Sequence, residues 1–380
     1  MALSKDEIMA KTLEAIRDKM PDEHIGKYQD LRDHLDVETL STGSIAVDEA
    51  LNGGWAVGRV NSIVGKASSG KSSMMFSTIA CLQKRKPDAQ ILYIDAENAL
   101  DPRYMKSLGV DLDKMYIVQP DNGEDAYDIA YMFISSGVAD LVVLDSIPAM
   151  IPKAMLEYEL DEQPKIAMGA TLDTRGMSRL VTATKQYGGT VIAINQYKER
   201  VQVGMPTQGD GVSGNGYLVG GSSLPFMFSQ ILKIQRVGKI FEGDEVVGDQ
   251  VRCWAIKNKI GAPYTTSDYF LSYGKGINLA EEVIMYGTEM GLIGKTARTF
   301  WVIDKDATDA ARLEDPNAEE IIVEGSRQGS RPKFVEYLNN TPEVLDVLIE
   351  KVREEIRKRI AAKSGDTDAA KEAESMGVKD

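Results

Sequence analysis

Gly65, Lys66, Ala67, Ser68, Ser69, Gly70, Lys71 and Ser72 carry the plainest chemistry in the chain. They fit G-x-x-x-x-G-K-[ST], a loop whose backbone N–H groups cradle a polyphosphate. Lys71 is spaced for the β and γ phosphates and the Ser72 hydroxyl for Mg2+, while Ser73 continues into the following run. The flanks are what such a loop requires. Arg59 to Val64 is apolar enough for a buried strand, and residues 73–84 hold few helix breakers. Strand, glycine turn and helix N-terminus together aim backbone donors and a positive dipole end at one anion. The ligand implied is a nucleoside triphosphate with Mg2+.

Carboxylates and an amide stand at the ends of other apolar runs. Asp145 closes Ala139–Leu144 and is the expected further partner of the Mg2+, through water. Glu97 lies just past Gln90–Asp95, where it could activate a water against the γ-phosphate or serve only structure. Gln196 follows Thr190–Ile194 and could sense the γ-phosphate through its amide. Helical patterns at 73–84, 101–108, 124–136 and 169–187 separate these runs. The alternation predicts an α/β fold: a mostly parallel, helix-covered sheet with its site at the strand C-termini. Further strands are expected near 229–236, 250–257 and 267–273.

The rest of the chain bounds the organisation. Residues 4–20 read as an amphipathic helix, with Ser4 and Glu7 spaced as a capping box and Pro21 as its stop. Its apolar stripe needs cover from its own domain or a neighbouring subunit. We expect an arm and linker at 1–35, the nucleotide core at 36–277, a small α+β domain at 278–363 and a polar, disordered tail at 364–380. Within the small domain, 304–320 reads as an acidic surface excursion, Ile321–Val323 as a short strand, and Thr341-Pro342 as the start of a last helix. Two cysteines and two histidines, the latter upstream of the loop, leave no room for a zinc site, a disulfide framework or His-centred catalysis. No apolar run nears the ~20 residues of a membrane span. The first residues lack a signal pattern, so the expectation is cytoplasmic. A net charge of −14 speaks against a generally basic nucleic-acid coat but not against a local one.

Two irregular segments remain. Residues 197–223 hold seven glycines, and Lys198 and Arg200 are offset by Glu199 and Asp210. Residues 154–168 carry four acids against one lysine. A long Gly-rich loop inside a compact domain is usually functional or disordered. Neither segment is a basic patch. The helix behind the second adds Arg175, Arg179 and Lys185, which could equally form a solvated face.

Taken together, the chain resembles the bacterial RecA family of ATP-dependent homologous recombinases over most of its length. The resemblance rests on Asp36-Val37-Glu38-Thr39 with Ser41-Thr42-Gly43-Ser44, the loop 65–72, Asp95-Ala96-Glu97 and Ala99-Leu100-Asp101-Pro102. It continues through Gln119-Pro120-Asp121, Val143-Leu144-Asp145-Ser146, Ile194-Asn195-Gln196 and Lys257-Asn258-Lys259-Ile260. The resemblance implies Glu97 as catalytic base, Gln196 as γ-phosphate sensor, and Asp101 and Tyr104 as adenine contacts. It implies that Lys257 and Lys259 reach the ATP of the adjacent protomer, so that the site forms only between subunits of a helical filament. It implies single- and double-stranded DNA as partners, together with single-strand-binding and loading proteins. The irregular segments match the family's DNA-contacting loops; the contact candidates are Met168, Gly169, Arg175, Arg179, Lys198, Arg200, Gly220 and Gly221. The first helix becomes the arm that docks on the next protomer, and the C-terminal domain a gateway for duplex DNA. Ala67 replaces an acidic residue of the family's loop, which bears on turnover rather than phosphate binding. That change, the acidic 304–320 and a divergent 197–223 suggest a distant, phage-encoded homologue. A ring helicase with the same core, and a non-catalytic accessory protein, are the alternatives. Closed hexamers would mark the first, and the intact Lys71, Glu97, Asp145, Gln196, Lys257 and Lys259 set argues against the second.

Overall fold

The computed structural model describes residues 4–20, 25–27, 29, 36–157, 167–199, 216–316 and 318–364. Arg200, most of the Gly-rich segment, residues 158–166 and the tail from 365 therefore lie outside the described residues. The chain divides into two units, Met1–Glu38 and Thr39–Asp380. In the first, α1 (Lys5–Lys19) opens with the expected capping box: Ser4 Oγ accepts the Glu7 N–H at 3.2 Å, and the Glu7 carboxylate accepts the Ser4 N–H at 2.7 Å.

The second unit is built on one large sheet. Its elements begin with β1 (Thr39–Leu40), α2 (Ile45–Ala50), β2 (Trp55–Ala56), β3 (Val60–Gly65), α3 (Lys71–Arg85) and β4 (Ile91–Asp95). They continue with α4 (Pro102–Ser107), β5 (Tyr116–Val118), α5 (Gly123–Ser135), β6 (Leu141–Asp145), α6 (Lys153–Leu156), α7 (Met168–Tyr187) and β7 (Thr190–Glu199). Then come β8 (Gly216–Leu218), α8 (Leu224–Met227), β9 (Gln230–Glu242), β10 (Glu245–Asn258), β11 (Thr265–Ser272) and β12 (Gly276–Ile277). The ten-stranded sheet runs β12-β11-β10-β9-β3-β7-β6-β4-β5, with β8 paired to β7. From β9 to β5 the neighbours are parallel, and β10, β11 and β12 add an antiparallel flank.

Strands buried on both faces must be apolar throughout, and these are. Ile63, Ile91, Tyr93, Val143 and Ile194 face α3 through Met74, Met75 and Ile79. Val64, Leu92, Ile94, Leu144 and Ala193 face α5 and α7 through Ala126, Tyr127, Met177 and Leu180. Helices α5 and α7 meet closely at Gly176, where a Cβ would stand 2.3 Å from the Tyr127 ring. The register brings the strand ends level: Gly65 pairs with Gln196, and Asp95 with Asp145. The strand-end residues predicted for the nucleotide site, Gly65, Asp145 and Gln196, thus line one edge of the sheet.

Beyond the sheet lie α9 (Leu279–Glu289), β13 (Ile293–Lys295), β14 (Phe300–Val302), α10 (Lys305–Glu314), α11 (Arg331–Asn340) and α12 (Pro342–Ser364). Val283, Leu338, Leu348 and Val352 share the α3-side core. Buried Glu282 accepts Ser44 Oγ at 2.8 Å and the Ala46 N–H at 3.2 Å, at the start of α2, and burial pushes its carboxyl up to about 8. Two local expectations change here. Residues 305–314 form α10, capped by Asp304 and tied to α12 by Lys351 and Asp306 at 2.6 Å. The helix was hidden because Thr308 is its one buried residue. Ile321–Val323 gives only a single bridge, Ile303 to Ile322. Among the described residues, no helix is long and apolar enough to cross a membrane.

Candidate nucleotide site and its links to the Gly-rich segment

The loop at 65–72 is a cradle with no space for side chains at its glycines. A Cβ on Gly65 would stand 2.5 Å from Ser69 Oγ and 2.7 Å from the Ile234 carbonyl. Gly70 takes the left-handed region at φ 93° and caps α3. Lys66, Ala67 and Ser68 are exposed, whereas Lys71 is buried and its ammonium donates to the Lys66 carbonyl at 2.8 Å and, more weakly, to Gly65 at 3.4 Å. Burial lowers the Lys71 pKa, and the Asp145 and Glu97 charges oppose that shift. Among the described residues, Ser69 Oγ is buried with no hydrogen-bond partner. An orphan hydroxyl, a lysine bonded only to carbonyls, and a helix N-terminus all fit a bound polyphosphate.

The metal half is equally specific. Ser72 Oγ donates to Asp145 Oδ2 at 2.9 Å, and the Tyr93 hydroxyl donates to the same oxygen at 2.5 Å. Burial raises the Asp145 pKa, the Tyr93 and Ser72 bonds lower it, and Glu97 and Asp95 raise it further. A hydroxyl beside a carboxylate is the hard oxygen set that Mg2+ prefers. Glu97 is exposed at the mouth and held from two directions. Its N–H donates to the Asp145 carbonyl at 3.3 Å, and its Oε1 accepts a short bond from Ser146 Oγ. Asp95 folds the turn beyond it by accepting the Ala99 and Leu100 N–H groups at 3.2 Å and Gln119 Nε2 at 2.9 Å. Asp101 caps α4, accepting the Arg103 N–H at 2.8 Å. Tyr104, on that helix, shares a 2.7 Å hydrogen bond with Ser73 Oγ.

Sequence reasoning passed over Tyr93 and Ser146. Tyr93 looked like any strand aromatic. Its signal is register: it stands two residues before Asp95 on one face and opposite Val143, placing its hydroxyl diagonally against Asp145.

Gln196 connects this edge to the Gly-rich segment. Its carbonyl accepts the Val219 N–H at 3.3 Å, and Asn195 Nδ2 donates to the Val219 carbonyl at 2.8 Å. Next come Gly220 and Gly221, at φ 100° and 96°, and a Cβ on Gly220 would stand 3.0 Å from Asp173 Oδ2. Asp173 is buried, accepts the Tyr127 hydroxyl at 3.0 Å, and is pushed up to about 7 by burial. Met168 and Gly169 open α7, and Arg175 and Lys198 are exposed. Arg179 pairs with Asp128 and lies over the Tyr131 ring at 4.4 Å.

Lys257 and Lys259 are not gathered with the others. Lys257 pairs with Ile231, the Lys259 N–H donates to the Ser229 carbonyl, and the Ser229 N–H donates to Val60 at the start of β3. Val60 to Gly65 is a run of about 17 Å, so Lys259, level with Val60, lies at the far end of β3 from the chain's own phosphate loop. Lys257, level with Ser62 through Ile231, lies in the same half of the strand. Lys257 Nζ donates to the carbonyls of Pro225 at 2.7 Å and Phe226 at 3.3 Å.

The profile of the RecA N-terminal domain matches residues 7–278. The chain belongs to the RecA family. Protein RecA of Blastochloris viridis is 40% identical over 270 residues, which cover 70% of this chain and 74% of that protein. Protein RecA of Bifidobacterium breve is 35% identical over 323 residues, covering 84% and 74% respectively. Protein RecA of Psychrobacter cryohalolentis is 37% identical over 269 residues, covering 70% and 73%. The function that follows is that of a RecA-type recombinase in DNA repair. The RecA family binds ATP with Mg2+, binds DNA and forms filaments.

Proposed function

We propose that this chain is a DNA-dependent ATPase that assembles on single-stranded DNA as a helical filament and pairs that strand with homologous duplex. The observation that carries the reading is the separation of its two sets of charged residues. Lys71, Asp145 and Glu97 share one edge of the sheet, whereas Lys257 and Lys259 lie towards the other end of β3. A second copy stacked along the filament would bring its lysines to the first copy's loop and complete the site.

In this reading the loop 65–72 and Ser73 hold the phosphates, with Asp101 and Tyr104 at the adenine. Bound Mg2+, on Ser72 and through water on Asp145, would neutralise charge on the phosphates. Glu97, oriented by Ser146, takes a proton from the attacking water. Gln196 reports the γ-phosphate through Val219 to Gly220 and Gly221, and Lys257 and Lys259 steady the charge from the neighbouring protomer. Met168, Gly169, Arg175, Arg179, Lys198 and Arg200 belong to the DNA side, and residues 278–363 to duplex entry. Single-strand-binding and loading proteins are its partners, and the cytoplasm its location. Such coupling requires ATP to bind the filament state more tightly than ADP does. The test is ATPase with and without single-stranded DNA, with D-loop formation in parallel. Stimulation with D-loops is expected; neither would end the recombinase reading.

A further inference from the structure

We propose that Tyr93 is a positioning residue for the metal half of the nucleotide site, fixing the carboxylate that Ser72 needs in order to serve as a ligand. The inference rests on the ATP and Mg2+ reading above and adds a residue to it. A serine hydroxyl offers a lone pair to a cation in a defined direction only while its proton is engaged elsewhere. The Ser72 proton goes to Asp145 Oδ2. That oxygen ends a strand beside an exposed turn, and a second donor, the Tyr93 phenol at 2.5 Å, pins it.

The phenol is itself held fast. Tyr93 is 1% exposed, and its ring lies 5.7 Å from that of Phe76, which meets Tyr104 edge-on at 6.0 Å. Tyr104 in turn bonds Ser73. The aromatic row therefore reaches the start of α3 at two consecutive serines, through Asp145 at Ser72 and directly at Ser73. A phenylalanine would fill the same space between β4 and α3. Packing accounts for the ring, and the hydroxyl is the part that needs another explanation.

The experiment is Tyr93→Phe in the full chain, titrated with Mn2+ in the presence of ADP and followed by electron paramagnetic resonance. A hydrogen bond to a charged group supports a loss of Mn2+ affinity of about tenfold. ADP binding without metal and the circular dichroism spectrum should be unchanged. Phe76→Leu, which frees the ring but keeps the hydroxyl, should lose less. If Tyr93→Phe binds Mn2+ as the parent does, the hydroxyl only satisfies a buried carboxylate and the proposal fails. If the parent itself takes up no Mn2+ with ADP, the nucleotide-site reading fails with it.

Discussion

Burial and the neighbouring Lys259 pull the Lys257 ammonium down to about 8. A lysine with a lowered pKa is charged below that value and neutral above it. If its charge completes a neighbour's site, kcat/KM for the DNA-stimulated ATPase, which reports the site before ATP fills it, should fall on an alkaline limb near pH 8. Lys259→Ala should move that limb upward, because the like charge that lowers it is gone; a pH–rate series on both proteins measures this. Glu97→Gln should reduce turnover by about 10²–10⁴-fold while filaments still form in electron micrographs, whereas Lys71→Ala should abolish the ATP-dependent filaments. At this scale the sequence was most legible where chemistry demands a fixed spacing, as in Gly65–Ser72 and the strand-end Asp145 and Gln196. It was least legible for residues that act by touching another, such as Tyr93 and Ser146. Their partners are 52 and 49 residues away along the chain, and only register brings them together.

Helices α5 and α7 and the Gly220–Gly221 turn meet around Asp173, and two predictions belong to that junction. Gly176→Ala adds a methyl where the Tyr127 ring leaves none, and should destabilise by roughly 1–3 kcal/mol despite the better helix propensity of alanine. Denaturant melts would show this as a lower midpoint with an unchanged slope. Asp173 has its folded pKa raised from 3.8 to about 7. The stability from its neutral form is complete below the unfolded value and is lost as pH rises through about 7. Asp173→Asn, neutral throughout, should therefore raise the melting temperature above the parent's at pH 8, with the gap closing towards pH 4. A gap that does not depend on pH would contradict this. The same elements show where periodicity suffices. The helices at 73–84, 124–136 and 169–187 were readable within about two residues because each buries a stripe, whereas the one at 101–108 buries only Met105 and is marked instead by the Asp101 cap and Pro102 at its first position. In contrast, α10 and α11 bury only Thr308 and only Phe334 and Leu338, respectively, too little to leave a pattern.

For the whole molecule, the sheet keeps two sets of charges towards opposite ends of β3, and the filament is what would join them. A mostly parallel sheet was legible from alternating strands and helices. The antiparallel flank of β10, β11 and β12 was legible only as further strands, because pairing direction leaves no mark on composition. That flank carries Lys257 towards the far end by reversing the chain beside β9. The claim that the site is shared between copies is tested most directly by mixing two inactive proteins, Lys71→Ala and the Lys257→Glu, Lys259→Glu pair. In a mixed filament on single-stranded DNA, some junctions set an intact loop against intact lysines. ATPase should then reappear in the mixture, while each protein alone stays silent. If the mixture remains as inactive as its components although mixed filaments form, the shared site is wrong.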